Sequence, residues 1–174
     1  RDSRNAYISY DEGENWDALS STLPVIPGIF YAQDGLLYIT STNGKLFRSA
    51  DPVNDGWEEI NFPLATSSTV RLLVSGDTLL TGQVNNATYY SHDGGENWAE
   101  TSGITDFDVN NEGFWKAGDT FYVLNNNDLY HSIDGGINWG ATTGNRDIFN
   151  DVQPVEDGLF LIKSGEVYHS ADQG

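Results

Sequence analysis

Residues 91–98 read Ser91-His92-Asp93-Gly94-Gly95-Glu96-Asn97-Trp98, a Ser-x-Asp-x-Gly-x-x-Trp pattern. The same pattern appears as Ser9-Tyr10-Asp11-Glu12-Gly13-Glu14-Asn15-Trp16 and as Ser132-Ile133-Asp134-Gly135-Gly136-Ile137-Asn138-Trp139. A looser copy runs from Ser49 and Asp51 to Trp57, one residue longer and without the Gly. A shortened copy is Ser170-Ala171-Asp172-Gln173-Gly174. The Asp positions 11, 51, 93, 134 and 172 lie 40, 42, 41 and 38 residues apart. A fixed period of this length means one supersecondary unit repeated along the chain.

The residue types explain the unit. Ser and Asp put short acceptors on a tight turn, and Gly tolerates positive φ. Asp is expected to accept hydrogen bonds from turn amides two residues on. The Trp starts the next strand and can staple the hairpin by burying its ring. The expected structural residues are therefore Ser9, Asp11, Gly13 and Trp16; Ser49, Asp51 and Trp57; Ser91, Asp93, Gly95 and Trp98; Ser132, Asp134, Gly136 and Trp139; and Ser170, Asp172 and Gly174. An aromatic stands two residues before each Ser, at Tyr7, Phe47, Tyr89, Tyr130 and Tyr168. Strand alternation places Ile8, Arg48, Tyr90, His131 and His169 on the opposite face.

A second hairpin signal precedes each pattern, at Asp34-Gly35, Gly76-Asp77, Gly118-Asp119 and Asp157-Gly158. Short β-rich runs flank these turns, such as Leu36-Leu37-Tyr38-Ile39 and Thr120-Phe121-Tyr122-Val123. No stretch shows a helical period. Four short strands per repeat make a β-propeller blade. The expected fold is all-β, a propeller segment of four-stranded antiparallel blades over residues 1–174, part of a larger ring. Residues 1–22 are expected to give the third and fourth strands of a preceding blade. Residues 23–63, 64–103 and 104–144 are expected to form three full blades, and 145–174 to begin another. An arc of a ring of roughly five to eight blades fits better than a closed ring of four. Open edges would otherwise be exposed. The chain contains no Met and closes in the middle of a motif, which leads us to expect a piece of a longer chain.

With the motif, period and strand pattern in place, the chain resembles the Asp-box, or BNR, repeat proteins. These include sialidases, xyloglucanases, sortilin-type receptors and a photosystem II assembly factor family. The resemblance implies that each box forms the hairpin between the third and fourth strands of a blade. Most members carry Thr before the Trp, where this chain has Asn15, Asn97 and Asn138. The resemblance speaks to fold rather than chemistry, because these families share architecture and not activity.

Composition excludes several classes. A net charge of −18 rules out a simple electrostatic grip on nucleic acid or on anionic membranes. The apolar content argues against disorder, and no apolar run approaches a membrane span. Zero Cys removes disulfides, thiolate metal sites and Cys nucleophiles.

Candidate chemistry is thin. The sialidase resemblance implies three Arg on a carboxylate and an Arg-Ile-Pro motif, but this chain has Val25-Ile26-Pro27. A xyloglucanase-like site needs two carboxylates roughly 5 to 9.5 Å apart. The 26 acids make such a pair uninformative without geometry. Asp108, Asn110, Glu112 and Asp119 mimic calcium-loop spacing, yet no helices flank them. No metal and no cofactor is expected, and no catalytic residue is assigned. His92, His131 and His169 read as strand-face or solvated histidines.

The end of the blades bearing the loops between second and third strands is the expected ligand face. Its amide-rich loops contain Asn43, Asn85, Asn86, Asn125, Asn126 and Asn127, with Trp115 nearby at the start of a first strand and Phe62, Phe107 and Phe149 in neighbouring loops. Amides offer donors and acceptors together, which suits sugars or peptide backbones. Turn chemistry alone is the stronger account of these Asn, which tolerate left-handed backbone. The reading is a non-catalytic module for binding a protein or glycan partner, or the remaining blades of the same chain. Nucleic acid and direct membrane insertion are not expected, and location is secreted, periplasmic or cell-surface. The competing reading is a glycoside hydrolase, sialidase- or xyloglucanase-like, with catalytic residues partly outside this segment.

Overall fold

The structure, a computed structural model, describes residues 7–18, 27–33, 35–41, 44–54, 56–64, 70–107, 113–126, 128–142, 151–155, 158–163 and 165–170. The chain divides into two compact units, residues 1–68 and 69–174. Among the described residues there is no helix, so none could span a membrane.

The first unit opens with a two-stranded hairpin of β1 (Tyr7–Ile8) and β2 (Asp17–Ala18). A four-stranded sheet follows: β3 (Pro27–Gln33), β4 (Leu36–Ser41), β5 (Leu46–Ser49) and β6 (Glu58–Ile60). The second unit holds β7 (Val70–Ser75), β8 (Thr78–Gln83), β9 (Thr88–Ser91) and β10 (Ala99–Glu100) as one sheet. β11 (Phe114–Ala117), β12 (Thr120–Asn125), β13 (Asp128–Ser132) and β14 (Gly140–Ala141) form the next. β15 (Asp151–Val155), β16 (Gly158–Lys163) and β17 (Glu166–Ser170) form a three-stranded sheet. Each sheet is an antiparallel meander with strands in sequence order, and these meanders are the blades of a β-propeller segment.

The second strand of a blade explains the packing. β12 reads Thr120-Phe121-Tyr122-Val123-Leu124-Asn125 and is buried along its whole length. Aromatic and β-branched residues favour the strand, and burial on both faces requires a sheet on each side. Within the second unit, Tyr122, Leu124 and Leu129 pack against Val152, Leu159 and Leu161 of the following blade. Each fully buried side chain of this size contributes about 1.5–3 kcal/mol relative to exposure. On the other side, Phe114 stacks on Phe107 at 5.3 Å and meets Trp139 at 6.0 Å between ring centres.

In the first unit, Ile39 and Phe47 are buried together with Trp57 packed against them. The outer strands there are tied by ion pairs, Lys45 to Glu59 at 2.8 Å and Arg48 to Glu58 at 2.9 Å.

Candidate functional site

The boxes occupy the turns between third and fourth strands: 92–98 joins β9 to β10, and 133–139 joins β13 to β14. In the box at 91–98, the Ser91 hydroxyl donates to Asp93 Oδ1 at 2.7 Å and accepts from the Gly95 amide at 2.9 Å. Asp93 Oδ1 also accepts from the Asn97 amide at 2.9 Å, and Oδ2 from Asn97 Nδ2 at 2.8 Å. Trp98 Nε1 donates to the Gly95 carbonyl at 3.0 Å. The box at 132–139 repeats every bond, and so does the one at 9–16.

Two points correct the sequence reading. Asp accepts from the amide four residues on, not two; it is the Ser hydroxyl that accepts from the nearer amides. Asn15, Asn97 and Asn138 are part of the box, since each presents its backbone amide and its side-chain amide to the same carboxylate. Their fixed place before the Trp was the signal available in the sequence. The bonds from Asn97 hold the Asp93 carboxyl down at about 2, and those from Asn138 do the same for Asp134. Asp11 is lowered in the same way by Asn15. These carboxylates are committed to their own turns.

The staple varies. Trp139 is buried, Trp98 half-buried, and Trp16 exposed. In the looser copy, Asp51 is capped by the Asn54 side chain at 2.8 and 3.0 Å. Ser170 lies at the end of β17, while Asp172 and Gly174 fall outside the described residues.

Neighbouring boxes are strapped together in the second unit. His92 Nε2 lies 2.9 Å from the Gly135 carbonyl of the next box. The Ser102 amide donates to the Ile137 carbonyl, and the Trp139 amide to the Ser102 carbonyl. These contacts join residues about 40 positions apart, so local patterns did not reveal them. His131 lies half-buried on β13, and its Nδ1 has no hydrogen-bond partner among the described residues. His169 is exposed and rests on Phe160, 4.8 Å between ring centres.

At the opposite end, the expected ligand face is partly dismantled. Asn85, Asn86 and Asn126 are exposed on the turns after β8 and β12, with Asn85 and Asn126 at positive φ. Asn125 is instead buried at the end of β12, its Nδ2 3.4 Å from the Thr105 carbonyl. Trp115 sits within β11 and packs against the Tyr122–Leu159 core cluster rather than on the loops. Phe107 is fully buried, its amide and carbonyl bonded to Asn86 and Asn85 backbone. Burial drives this: an apolar ring gains more from the core than from a polar rim. Asn43, Asn127 and Phe149 fall outside the described residues. So do Asp108, Asn110 and Glu112 of the calcium-like spacing, while Asp119 is exposed on the β11–β12 turn. Among the described residues, no group of three or more His, Asp or Glu could hold a metal ion.

Comparison with known proteins agrees with this geometry. Residues 89–100 match the family described as BNR/Asp-box repeat. The chain thus carries a BNR/Asp-box repeat on a β-propeller fold. No curated protein sequence gives a significant match. Among solved structures, it is similar to YCF48 bound to D1 peptide, with a TM-score of 0.67 and 14% identity over 98% of this chain and 58% of that one. It is also similar to a GH74 enzyme of Niastella koreensis, with a TM-score of 0.59 and 20% identity over 80% of this chain and 22% of that one. BamB from Moraxella catarrhalis gives a TM-score of 0.55 and 15% identity over 82% of this chain and 41% of that one. The chain spans little more than half of the first of these structures and about a fifth of the second. At such identities the likeness speaks for the fold.

Proposed function

We propose that this chain is a non-catalytic β-propeller module that binds a protein partner through the exposed amide turns of its second unit. The observation that carries the reading is the division of labour between the two ends of the blades. The box carboxylates Asp93 and Asp134 are spent on turn bonds, whereas Asn85, Asn86 and Asn126 stand exposed at the other end. Exposed amides present donors and acceptors suited to an extended peptide backbone. A glycan surface would be better served by exposed rings, and Phe107 and Trp115 are turned into the core. The peptide carried by YCF48, whose fold matches nearly the whole chain, favours the same class of partner. An exported or cell-surface location goes with this reading.

The similarity to a GH74 enzyme keeps one rival, a glycoside hydrolase. The test pairs a peptide array with a glycan array and with hydrolysis assays on xyloglucan and a sialoside. Saturable peptide binding that weakens in the double variant Asn85→Gly, Asn126→Gly is the expected result. Glycine keeps the positive φ of both turns while removing the amides. Turnover of either saccharide, or peptide binding indifferent to both substitutions, would overturn the reading.

A further inference from the structure

We propose that the peptide bound at the amide turns is cationic, with a Lys or Arg side chain seated on Asp106; this rests on the peptide-binding reading above. The placement of Asp106 carries the argument, because the residues on either side of it are stitched to both turns. Ahead of it, the Thr105 carbonyl lies 3.4 Å from Asn125 Nδ2. After it, the Phe107 amide donates to the Asn86 carbonyl at 3.1 Å, and the Phe107 carbonyl accepts from the Asn85 amide at 2.9 Å. The Phe107 ring is fully buried and anchors the loop. Asp106 is thus held between the turn bearing Asn85 and Asn86 and the turn bearing Asn126, and all four residues are exposed.

The Asp106 carboxylate is not spent on the fold. Asp93 and Asp134 commit theirs to their own turns, whereas among the described residues no hydrogen bond or ion pair engages that of Asp106. Its backbone lies at φ of +53, which Asn or Gly serves as well as Asp. The turn therefore accounts for a short side chain at this position but not for its charge. Half-buried Asp128, where β13 leaves the second turn, adds another carboxylate. Nearby Arg71 is folded across Gly113 rather than standing free, since a Cβ on Gly113 would lie 3.2 Å from its Cδ. Lys116 lies over the Phe121 ring at 5.6 Å, toward the box end of the blade. The charge left standing at the turns is negative, and a net charge of −18 extends that field. Such a field speeds the approach of a cationic segment and rejects an acidic one. A carboxylate between exposed amides offers the segment a seat for its charge and partners for its backbone.

The test probes the 174-residue chain with a random-sequence peptide array and titrates its strongest binders in solution. The expected binders carry net positive charge, and replacing their Lys and Arg by Gln weakens them at least about tenfold. Asp106→Asn keeps the left-handed backbone and the shape of the side chain while removing the charge. It should weaken the best binder about threefold to fivefold. Asp119→Asn makes the same charge change on the exposed β11–β12 turn at the opposite end, and should leave binding within about twofold. Raising salt from about 50 to about 300 mM should weaken binding to the wild type more than to Asp106→Asn. Circular dichroism checks that both variants keep their strands. Neutral or acidic binders that still depend on Asn85 and Asn126 overturn this proposal and leave the peptide-binding reading standing. Equal losses in Asp106→Asn and Asp119→Asn assign the attraction to overall charge and overturn the seat at Asp106. An array without a saturable binder overturns both readings together.

Discussion

The boxes at 132–139 and 49–57 fill the same place between third and fourth strands, yet they hold that place by different means. In the first, Ser132 accepts the Gly136 amide, Asp134 takes both amides of Asn138, and Trp139 donates to the Gly136 carbonyl. In the second, the Gly is missing and the turn is one residue longer. Asn54 caps Asp51 from inside the turn, the Gly56 amide reaches the Asp51 carbonyl at 3.2 Å, and buried Trp57 Nε1 has no partner among the described residues. Ser and Asp thus suffice to make a turn, while Gly joins the turn to its Trp and to the neighbouring blade.

The largest break in the comparison should come from that Gly. Gly136 has φ of +89, and a Cβ there would drive into Leu80 of the preceding blade. Gly136→Ala should cost about 3 kcal/mol in urea unfolding, from backbone strain and overpacking together. Gly56 sits at ordinary φ, and a methyl group added there would meet its nearest neighbour, the Asp51 carbonyl oxygen, at 3.1 Å. Gly56→Ala should cost less than about 1 kcal/mol. Equal costs at the two sites would refute the division of roles.

Next in size is the Ser. Ser132 is buried, and its hydroxyl serves both the Gly136 amide and Asp134. Removing it strands a buried amide, so Ser132→Ala should cost about 2 kcal/mol. Ser49 accepts the Asp51 amide at 3.0 Å, and Ser49→Ala should cost about 1 kcal/mol. Thermal melts of the two variants under one buffer make the comparison.

Acid sharpens it further. The Asp93 and Asp134 carboxyls titrate at about 2 in the folded chain, below the value of about 4 expected when unfolded. The folded state therefore binds fewer protons in that window, and their contribution is complete above about pH 4 and lost as pH falls toward 2. Carboxyl resonances followed by NMR from pH 5 downward should show both groups titrating late. Asn138→Ala removes one donor to Asp134 and should move its titration upward while leaving Asp93 in place.

These effects separate what the chain displays in its sequence from what it does not. The Ser-x-Asp-x-Gly-x-x-Trp spacing and the short β-rich runs made the all-β propeller architecture legible, because a box and its hairpin are local. The amide face was less legible. Asn125 looks like its neighbours Asn126 and Asn127 in sequence, but β12 ends one residue later than a turn-based reading assumes and draws it into the interior. Trp115 does lie near the start of a first strand, as its sequence suggests, but β11 pairs it with Tyr122 and packs it against the core instead of leaving it beside the loops. The straps from His92 to Gly135 and from Ser102 to Trp139 depend on how blades stack, which no eight-residue window contains.

The smallest expected effect is at Trp57, and set beside Trp139 it is the most discriminating. Trp139 Nε1 donates at 3.0 Å to a carbonyl inside the protein, so Trp139→Phe leaves the Gly136 oxygen short of a donor. It should cost about 1–2 kcal/mol beyond the lost ring area. Trp57 already buries Nε1 without a partner among the described residues, while its ring packs on Ile39 and Phe47. Trp57→Phe gives up some contact area but releases an unsatisfied donor, and these terms oppose each other. The net change should stay within about 0.5 kcal/mol of zero. A Trp57→Phe penalty as large as that of Trp139→Phe would mean that the looser box binds its indole nitrogen after all, and that the two boxes differ in sequence but not in mechanism.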